Sequence, residues 1–358
     1  MRILMLVNWG VRYLLEDSAE CQGPDKYLVG QKYWFFKYWP PKHKVDVIDY
    51  TKFYPFFAVE RKLLKIYVLQ AIKGFAKMKK YDLIISHGAQ SGLALSFLRQ
   101  FFGKIIPPHF IIDVGCFNGG RENWLELIPV KYSARSLAGV IYHSSIQEDY
   151  YRKNLPFLKR RFIPFGVDTD FFAPMNIPSK DYVISIGYAK RDYKTLLEAW
   201  AEIENDKPML KIVGVKKLDN VKHLPSQVEL IDRVPVHEYR DLIGRSKFVV
   251  LPLPYFRYAY GQMTLLQSMA MGKAVIVTKT PSAVDYVCDK EDALFVEPGN
   301  AQDMKSKIEL LLHSHSLADS LGKKAHLKII NNFTEEMMAQ KIHGFVVEIM
   351  ESSNANSQ

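Results

Sequence analysis

Cysteine is scarce in this chain: Cys21, Cys116 and Cys288 are three in 358 residues, an odd number with none of the paired spacings of a metal site. That excludes a disulfide scaffold or a cysteine-held zinc as the basis of the fold, and reduced thiols in a cytoplasmic setting are expected. Long apolar runs are also missing, since no stretch reaches the roughly 18 uninterrupted apolar residues of a membrane span. The opening MRILMLVNWG carries one basic residue and a short apolar run that passes directly into polar sequence, so it reads as a first strand rather than a secretion signal. No repeat shorter than a domain occurs. Acidic residues are few in one half only: residues 1–165 hold 25 Lys/Arg against 13 Asp/Glu, whereas the remainder holds 23 against 25. The net charge of +10 therefore belongs to the first half, which should attract anionic lipid, a phosphorylated acceptor or nucleic acid.

What is present is alternation. Ile3 to Val7, Val45 to Ile48, Leu83 to Ser86, Phe110 to Asp113 and Gly139 to His143 are short apolar runs separated by helical patterns. Tyr182 to Ile186, Leu210 to Val213, Val228 to Ile231, Phe248 to Leu251, Ala274 to Val277 and Ala293 to Val296 continue the series. Such order specifies an α/β fold of parallel sheets wrapped by helices, here two tandem Rossmann-like domains with a cleft expected where they connect. Arg160 to Pro174, rich in turn formers and aromatics, reads as the connection between them. The expected division is residues 1–165, residues 175–333, and a helix over 334–352 capped by Thr334 and favoured by Glu335 and Glu336 in its first turn.

The segment GQMTLLQSMAMGKAVIVT, Gly261 to Thr278, carries the strongest local signal. A helix entered from Gly261 presents the unpaired amides of Gln262, Met263 and Thr264, whose partial positive charge suits a diphosphate.

Several segments in register resemble the GT-B glycosyltransferases, especially the nucleotide-sugar-dependent family 4 enzymes. They are IPFGVDTDFF (Ile163 to Phe172), YVISIGYAKRDYKTLLEAW (Tyr182 to Trp200), LKIVG (Leu210 to Gly214), Val228 to Pro252, the Gly261 segment, and ALFVEPGNAQDMKSKIELL (Ala293 to Leu311). The resemblance covers roughly residues 160 to 315; the first half matches in pattern alone. It implies that the two Rossmann-like domains face a central cleft (the GT-B fold), with a donor nucleotide held mainly by the second and a last helix that returns to the first. It implies as well that Gly187 opens a cationic loop in which Lys190, Arg191 and Lys194 neutralise a leaving diphosphate, with Arg191 and Lys194 favoured. The arginine usual directly after that glycine is Tyr188 here. The nucleobase is expected beside Asp232, Arg233 and Val234, through backbone groups at Arg233.

Two glutamates that family 4 enzymes carry eight positions apart are replaced by Ala259 and Gln267. Gln267 shares a helix side with Met263 and Ala270, so its amide is expected to face an apolar surface and to serve the ribose hydroxyls. QMTLLQ also resembles the phosphate-helix stretch of the family 70 glucuronosyltransferase of xanthan assembly, an inverting, peripherally membrane-bound enzyme. An inverting transfer needs a base, and Asp113 is the candidate because it ends a strand before the glycine-containing loop VGCFNGG. His87 and His143, at other strand ends, are candidates for contact with acceptor or sugar.

Lys32 to Lys44 (KYWFFKYWPPKHK) and Arg61 to Lys80 interleave aromatics with lysine and arginine, a composition that suits an anionic membrane surface. With no recognised nucleic-acid module, nucleic acid is not expected as a partner. No metal or cofactor is expected, because no DxD stands between apolar runs and Asp168-Thr169-Asp170 belongs to the connecting motif. The expected activity is transfer of a sugar from a nucleotide-diphosphate donor, UDP-linked, to a hydroxyl of a glycan or lipid-linked glycan. It would proceed in the cytoplasm, peripherally at the inner face of the cell membrane. A nucleotide-sugar epimerase on the same scaffold and a degenerate nucleotide-sugar-binding partner subunit are the alternatives.

Overall fold

The computed structural model describes residues 1–15, 23–50, 59–60, 66–103, 106–188, 190–204, 206–218 and 224–355. Cys21 and residues 61–65 of the second basic stretch lie outside them. The chain divides into two compact units, Met1–Pro164 with Glu336–Gln358, and Phe165–Glu335.

The first unit runs β1 (Arg2–Val7), β2 (Arg12–Leu14), β3 (Lys26–Leu28), β4 (Lys44–Ile48), α1 (Val68–Lys77), β5 (Leu83–His87), α2 (Ala89–Phe101), β6 (His109–Asp113), α3 (Trp124–Ala134), β7 (Gly139–Tyr142), α4 (Gln147–Asn154) and β8 (Arg160–Phe162). The second runs β9 (Tyr182–Ile186), α5 (Tyr193–Ala201), β10 (Met209–Val213), β11 (Val228–Ile231), α6 (Val236–Arg245), β12 (Val249–Leu251), α7 (Gln262–Ala270), β13 (Val275–Thr278), β14 (Leu294–Val296), α8 (Ala301–His313) and α9 (His315–Asn332). The last helix, α10 (Glu335–Ala355), starts one residue after Thr334.

Each apolar run expected to be a strand forms one, to within a residue at either end. The sheets are parallel, in the orders β4-β1-β5-β6-β7-β8 and β11-β10-β9-β12-β13-β14. Helices cover their faces, so central strands such as β5 and β9 are buried along their whole length, and their sequences lack polar alternation. In the second sheet Ile184, Val249 and Val275 enter one apolar cluster while Val183, Val250 and Ile276 enter the other, as the period of two requires.

Two expectations need correction. Arg160 to Phe162, read as connection, is the edge strand β8, paired with β7 from Val140↔Arg160 to Tyr142↔Phe162. The aromatics of Lys32 to Lys44 do not form a surface: Tyr33, Trp34, Phe35, Phe36 and Trp39 are all buried around a 3-10 turn over Trp34–Tyr38. The Trp39 indole N–H donates to the Ala339 carbonyl of α10 at 3.0 Å. Lys37, Lys42 and Lys44 are exposed edges of a core element, while half-buried Lys32 donates to the Trp39 carbonyl, and the pattern resembles a membrane-binding one only in composition.

Candidate active site

Ligands of open parallel sheets bind outside the carboxyl ends of the strands where the winding reverses direction. In the second sheet β9 is followed leftward by β10 and β11, and β12 then pairs on its other side, so the switch lies between β9 and β12. The chain leaves these strands through residues 187–188 and 190–192 and through 252–261, and both segments hold residues expected at the donor site. Asp192 fixes the first loop: its carboxylate caps α5 by accepting from the Thr195 amide at 3.2 Å, and its amide donates to the Pro252 carbonyl at 3.0 Å. Gly261 ends the second loop in the left-handed region at φ 81, a conformation that favours glycine and directs the chain into α7.

Arg191 crosses between the loops. Its Nη2 donates to Thr264 Oγ1 at 3.1 Å, its guanidinium lies 5.8 Å from the Tyr260 ring centre, and it covers Gly187 so closely that a β-carbon there would fall 2.1 Å from Nη2. Thr264 stands in the first turn of α7. The amides of Gln262, Met263 and Thr264 have no acceptor among the described residues, and the side-chain Nε2 of buried Gln262 has none either. A helix N-terminus and an arginine thus meet, with a buried amide donor on the helix's first residue, and a buried unsatisfied donor is costly unless a ligand completes it. An anion with several oxygens, such as a diphosphate, can do so.

The structure separates the other expected cations. Lys190 sits with φ 46, its ammonium 5.0 Å from the Phe256 ring centre, 5.6 Å from that of Tyr260 and 5.7 Å from that of Tyr258. Lys194, favoured for the phosphates, instead points into solvent on α5, 84% exposed and 3.9 Å from Glu198 in an i,i+4 pair. As the second residue of α5, on the side of Glu198, Lys194 projects away from the loop that precedes it. Arg233 lies over the ring of Tyr188 at 5.1 Å, and the Tyr188 hydroxyl donates to the Val234 carbonyl at 3.1 Å. Tyr188, in the place of an arginine, therefore ties the glycine loop to the 232–234 segment.

Gln267 is half-buried, with no side-chain hydrogen bond among the described residues. One turn before it Met263 is 47% exposed, so the surface around Gln267 is open rather than the apolar one expected, although Ala270 on its other side is buried. Ala259 is buried, and a carboxylate is absent there. The aromatic loop Tyr255, Phe256, Tyr258 and Tyr260 was not picked out from the sequence. Four aromatics in six residues ahead of Gly261 were the available signal.

In the first unit, Asp113, His87 and His143 end or follow β6, β5 and β7 at the carboxyl edge of its sheet. His87 is buried with Trp9 edge-on at 4.7 Å and Trp34 at 5.6 Å, and burial pushes its imidazole pKa down to about 3. His143 donates from Nδ1 to the Ile163 carbonyl at 2.7 Å, and burial lowers its pKa to about 4. Both are neutral at physiological pH. Unfolding releases them to values near 6.5, where the unfolded chain takes up protons that the folded chain refuses. Stability is therefore expected to be full above that value and to fall as pH drops from about 6.5 toward 4, by about 1.4 kcal/mol per pH unit for each histidine. Urea unfolding at a series of pH values measures the slope, and His143→Gln should reduce it.

Asp113 has partners unlike those of a base open to an acceptor. It is fully buried, and Oδ2 accepts from the Phe117 amide at 3.0 Å, from the Tyr151 hydroxyl and from Gln147 Nε2 at 3.5 Å. Burial raises its pKa, while the Tyr151 hydroxyl and the Phe117, Gly115 and Cys116 amides oppose the rise. The loop it holds is strained, with Cys116 at φ 51 and Phe117 at φ 57. Oδ1 is buried without a partner.

Among known proteins, residues 168–328 match the family model described as glycosyl transferases group 1. An uncharacterized glycosyltransferase of Methanocaldococcus jannaschii is 30% identical over 246 residues, 61% of this chain and 68% of that one. The N,N'-diacetylbacillosaminyl-diphospho-undecaprenol alpha-1,3-N-acetylgalactosaminyltransferase of Campylobacter jejuni is 26% identical over 197 residues, 51% of this chain and half the length of that enzyme. In fold, the chain is similar to Anabaena HepE solved with UDP-glucose, with a TM-score of 0.68 and 16% identity over 97% of this chain and 100% of that one. The matched segment spans the Gly187 loop, α7 and the aromatic loop, and the M. jannaschii relative is aligned over two thirds of its length. The chain therefore belongs to the glycosyltransferase group 1 family, built on the two Rossmann-like halves of the GT-B fold.

Proposed function

We propose that this glycosyltransferase moves a hexosyl group from a UDP-linked donor to a hydroxyl of a glycan or lipid-linked glycan in cell-surface polysaccharide synthesis, working peripherally at the inner face of the membrane. The observation that carries the donor half is the contact of Arg191 with Thr264 at the free N-terminus of α7, whose first residue, Gln262, leaves its Nε2 unpartnered. As the glycosyl bond breaks, charge builds on the diphosphate, and preorganised donors stabilise that charge more than the ground state. In this reading the positive charge comes from side chains and helix amides, with activity expected to persist in chelator. UDP-glucose was bound in the HepE structure, and the Campylobacter relative is named for a sugar carried on diphospho-undecaprenol, which supports the choices of donor and acceptor. Gln267 serves the ribose hydroxyls, and Tyr188 with Arg233 borders the base.

A thermal-shift screen with UDP, GDP and ADP and their sugars tests the reading. UDP at about 100 times its dissociation constant is expected to stabilise the protein by about 2.7 kcal/mol, and GDP and ADP by much less. No stabilisation by any nucleotide would overturn it. A second reading, a nucleotide-sugar-binding partner subunit without turnover, is favoured by the loss of both family carboxylates at Ala259 and Gln267. Stabilisation by UDP with no sugar transfer or donor hydrolysis would select it.

A further inference from the structure

In the first unit α1 packs on α2 and α2 on α3, which makes one helical layer on its sheet. Most of α2 is enclosed: Ala89, Ser91, Gly92, Ala94, Leu95, Ser96 and Arg99 are buried. What this layer turns outward is nonetheless apolar. Phe97 and Phe101 stand one turn apart on α2, and Phe102 follows; Trp124, Leu125 and Ile128 stand out from the first turns of α3. Phe101 is 64% exposed and Trp124 is 68% exposed.

The phenylalanines are joined by ring contacts, and Trp124 and Ile128 continue the strip along α3 at intervals of four residues that lead to Tyr132. Phe102 meets Phe75 of α1 at 5.3 Å and Phe101 at 5.0 Å, and Phe97 meets Tyr132 of α3 at 5.3 Å. One aromatic ridge thus crosses three helices, and a contiguous exposed ridge of this kind marks an interaction surface. Cations stand at the end of the ridge where Phe75 and Tyr132 meet the phenylalanines of α2. Lys77, Lys79 and Lys80 leave the end of α1, and Lys131 and Arg135 leave the end of α3, all exposed and with no acidic partner among the described residues. The nearby acids are already used, Glu126 by Arg121 at 3.3 Å and Glu122 by Lys153.

We propose that this ridge is the membrane-docking surface of the protein, with Phe101 and Trp124 entering the headgroup region of an anionic phospholipid bilayer and the neighbouring lysines and arginine meeting its phosphates. Charge complementarity selects this occupant, because an apolar strip with unpaired cations at its phenylalanine end matches an anionic interface, where aromatic side chains settle at headgroup depth. The excess positive charge of the first half serves this surface, and Lys32 to Lys44, whose aromatics are core, does not. The placement rests on the peripheral-membrane part of the function proposed above.

Flotation of the full chain with vesicles of phosphatidylglycerol and phosphatidylcholine tests it, with pure phosphatidylcholine vesicles beside them. Binding to the anionic vesicles is expected, weakened by high salt, with a blue shift of tryptophan emission that Trp124→Phe removes. Phe101→Ser and Trp124→Ser should each lower binding about tenfold. Lys131→Glu with Arg135→Glu should abolish the anionic preference, whereas Leu327→Ser, an exposed apolar residue of the second unit, should change nothing. All variants should keep the thermal shift given by UDP, which reports the donor site separately. If the parent ignores anionic vesicles, both this placement and the membrane reading fail. If the parent binds and the ridge variants bind equally, the placement alone fails. A dimer in light scattering that Trp124→Ser converts to monomer without loss of vesicle binding would assign the ridge to a second copy and overturn the proposal.

Discussion

With Arg191 replaced by alanine, kcat/KM for the nucleotide-sugar is expected to fall about 100- to 1,000-fold, the range found when a preorganised donor to developing charge is removed. Arg191 is held on both sides, by Thr264 Oγ1 at the first turn of α7 and by the bare backbone of Gly187 beneath it. Its charge therefore stands beside the free amides of Gln262 to Thr264 before any ligand arrives, and no reorganisation is needed as the leaving group gains charge. Lysine at position 191 should recover only part of the loss, because an ammonium cannot reach Thr264 and two phosphate oxygens with one planar fork. Lys194→Ala should leave kcat/KM within about twofold, since an exposed i,i+4 pair with Glu198 contributes a few tenths of a kcal/mol. Steady-state kinetics on the three variants, with UDP thermal shifts beside them, measure this. If Arg191→Ala retains activity within about threefold, the helix N-terminus is not where the diphosphate binds.

The contrast between Arg191 and Lys194 shows where sequence reasoning about this fold succeeds and where it stops. The strands were legible because a doubly covered parallel strand has no polar face, and runs such as Tyr182–Ile186 and Leu83–His87 have little else to become. The position of the cationic loop was legible because a glycine after a strand and a cap before a helix bound it. Which cation turns inward was not, because Asp192 starts the helix and sends Lys194 to the solvent side, a matter of rotation that charge alone does not encode. Aromatic and basic residues interleaved along Lys32 to Lys44 misled for a related reason: a core turn with solvated lysines has the same composition as an interfacial segment. The ridge on α2 and α3 is not legible in the sequence because Phe97 and Phe101 sit on a helix buried on most of its sides, where only the packing distinguishes the phenylalanines left exposed.

Asp113 offers the sharpest separation of a chemical role from a positioning role. As a general base its carboxylate must take a proton from an acceptor hydroxyl, and Asp113→Asn would then abolish turnover in an intact fold. As the anchor of the Gly115–Gly120 loop it needs to accept the Phe117 amide and meet the Tyr151 hydroxyl, which an asparagine oxygen and amide can do. The burial of Asp113 and the left-handed Cys116 and Phe117 it restrains favour the second role. Asp113→Asn is therefore expected to keep kcat within about tenfold, whereas Asp113→Ala should lose roughly 100-fold and about 2–4 kcal/mol of stability, as the loop amides lose their acceptor. The pH dependence separates the variants further. Because burial raises the Asp113 pKa above its unfolded value, its contribution to stability is full below that unfolded value, roughly 4, and is lost as pH rises through the folded one. Asparagine carries no such loss, so the stability of Asp113→Asn relative to the parent should rise between acid and neutral pH in denaturant titrations. Survival of turnover in that variant would place the acceptor's proton elsewhere, on the leaving phosphate, and the loop's contribution would be the shape of the acceptor edge. An inactive Asp113→Asn with unchanged unfolding would return Asp113 to the role of base, and its unpartnered Oδ1 would then be the oxygen that takes the proton.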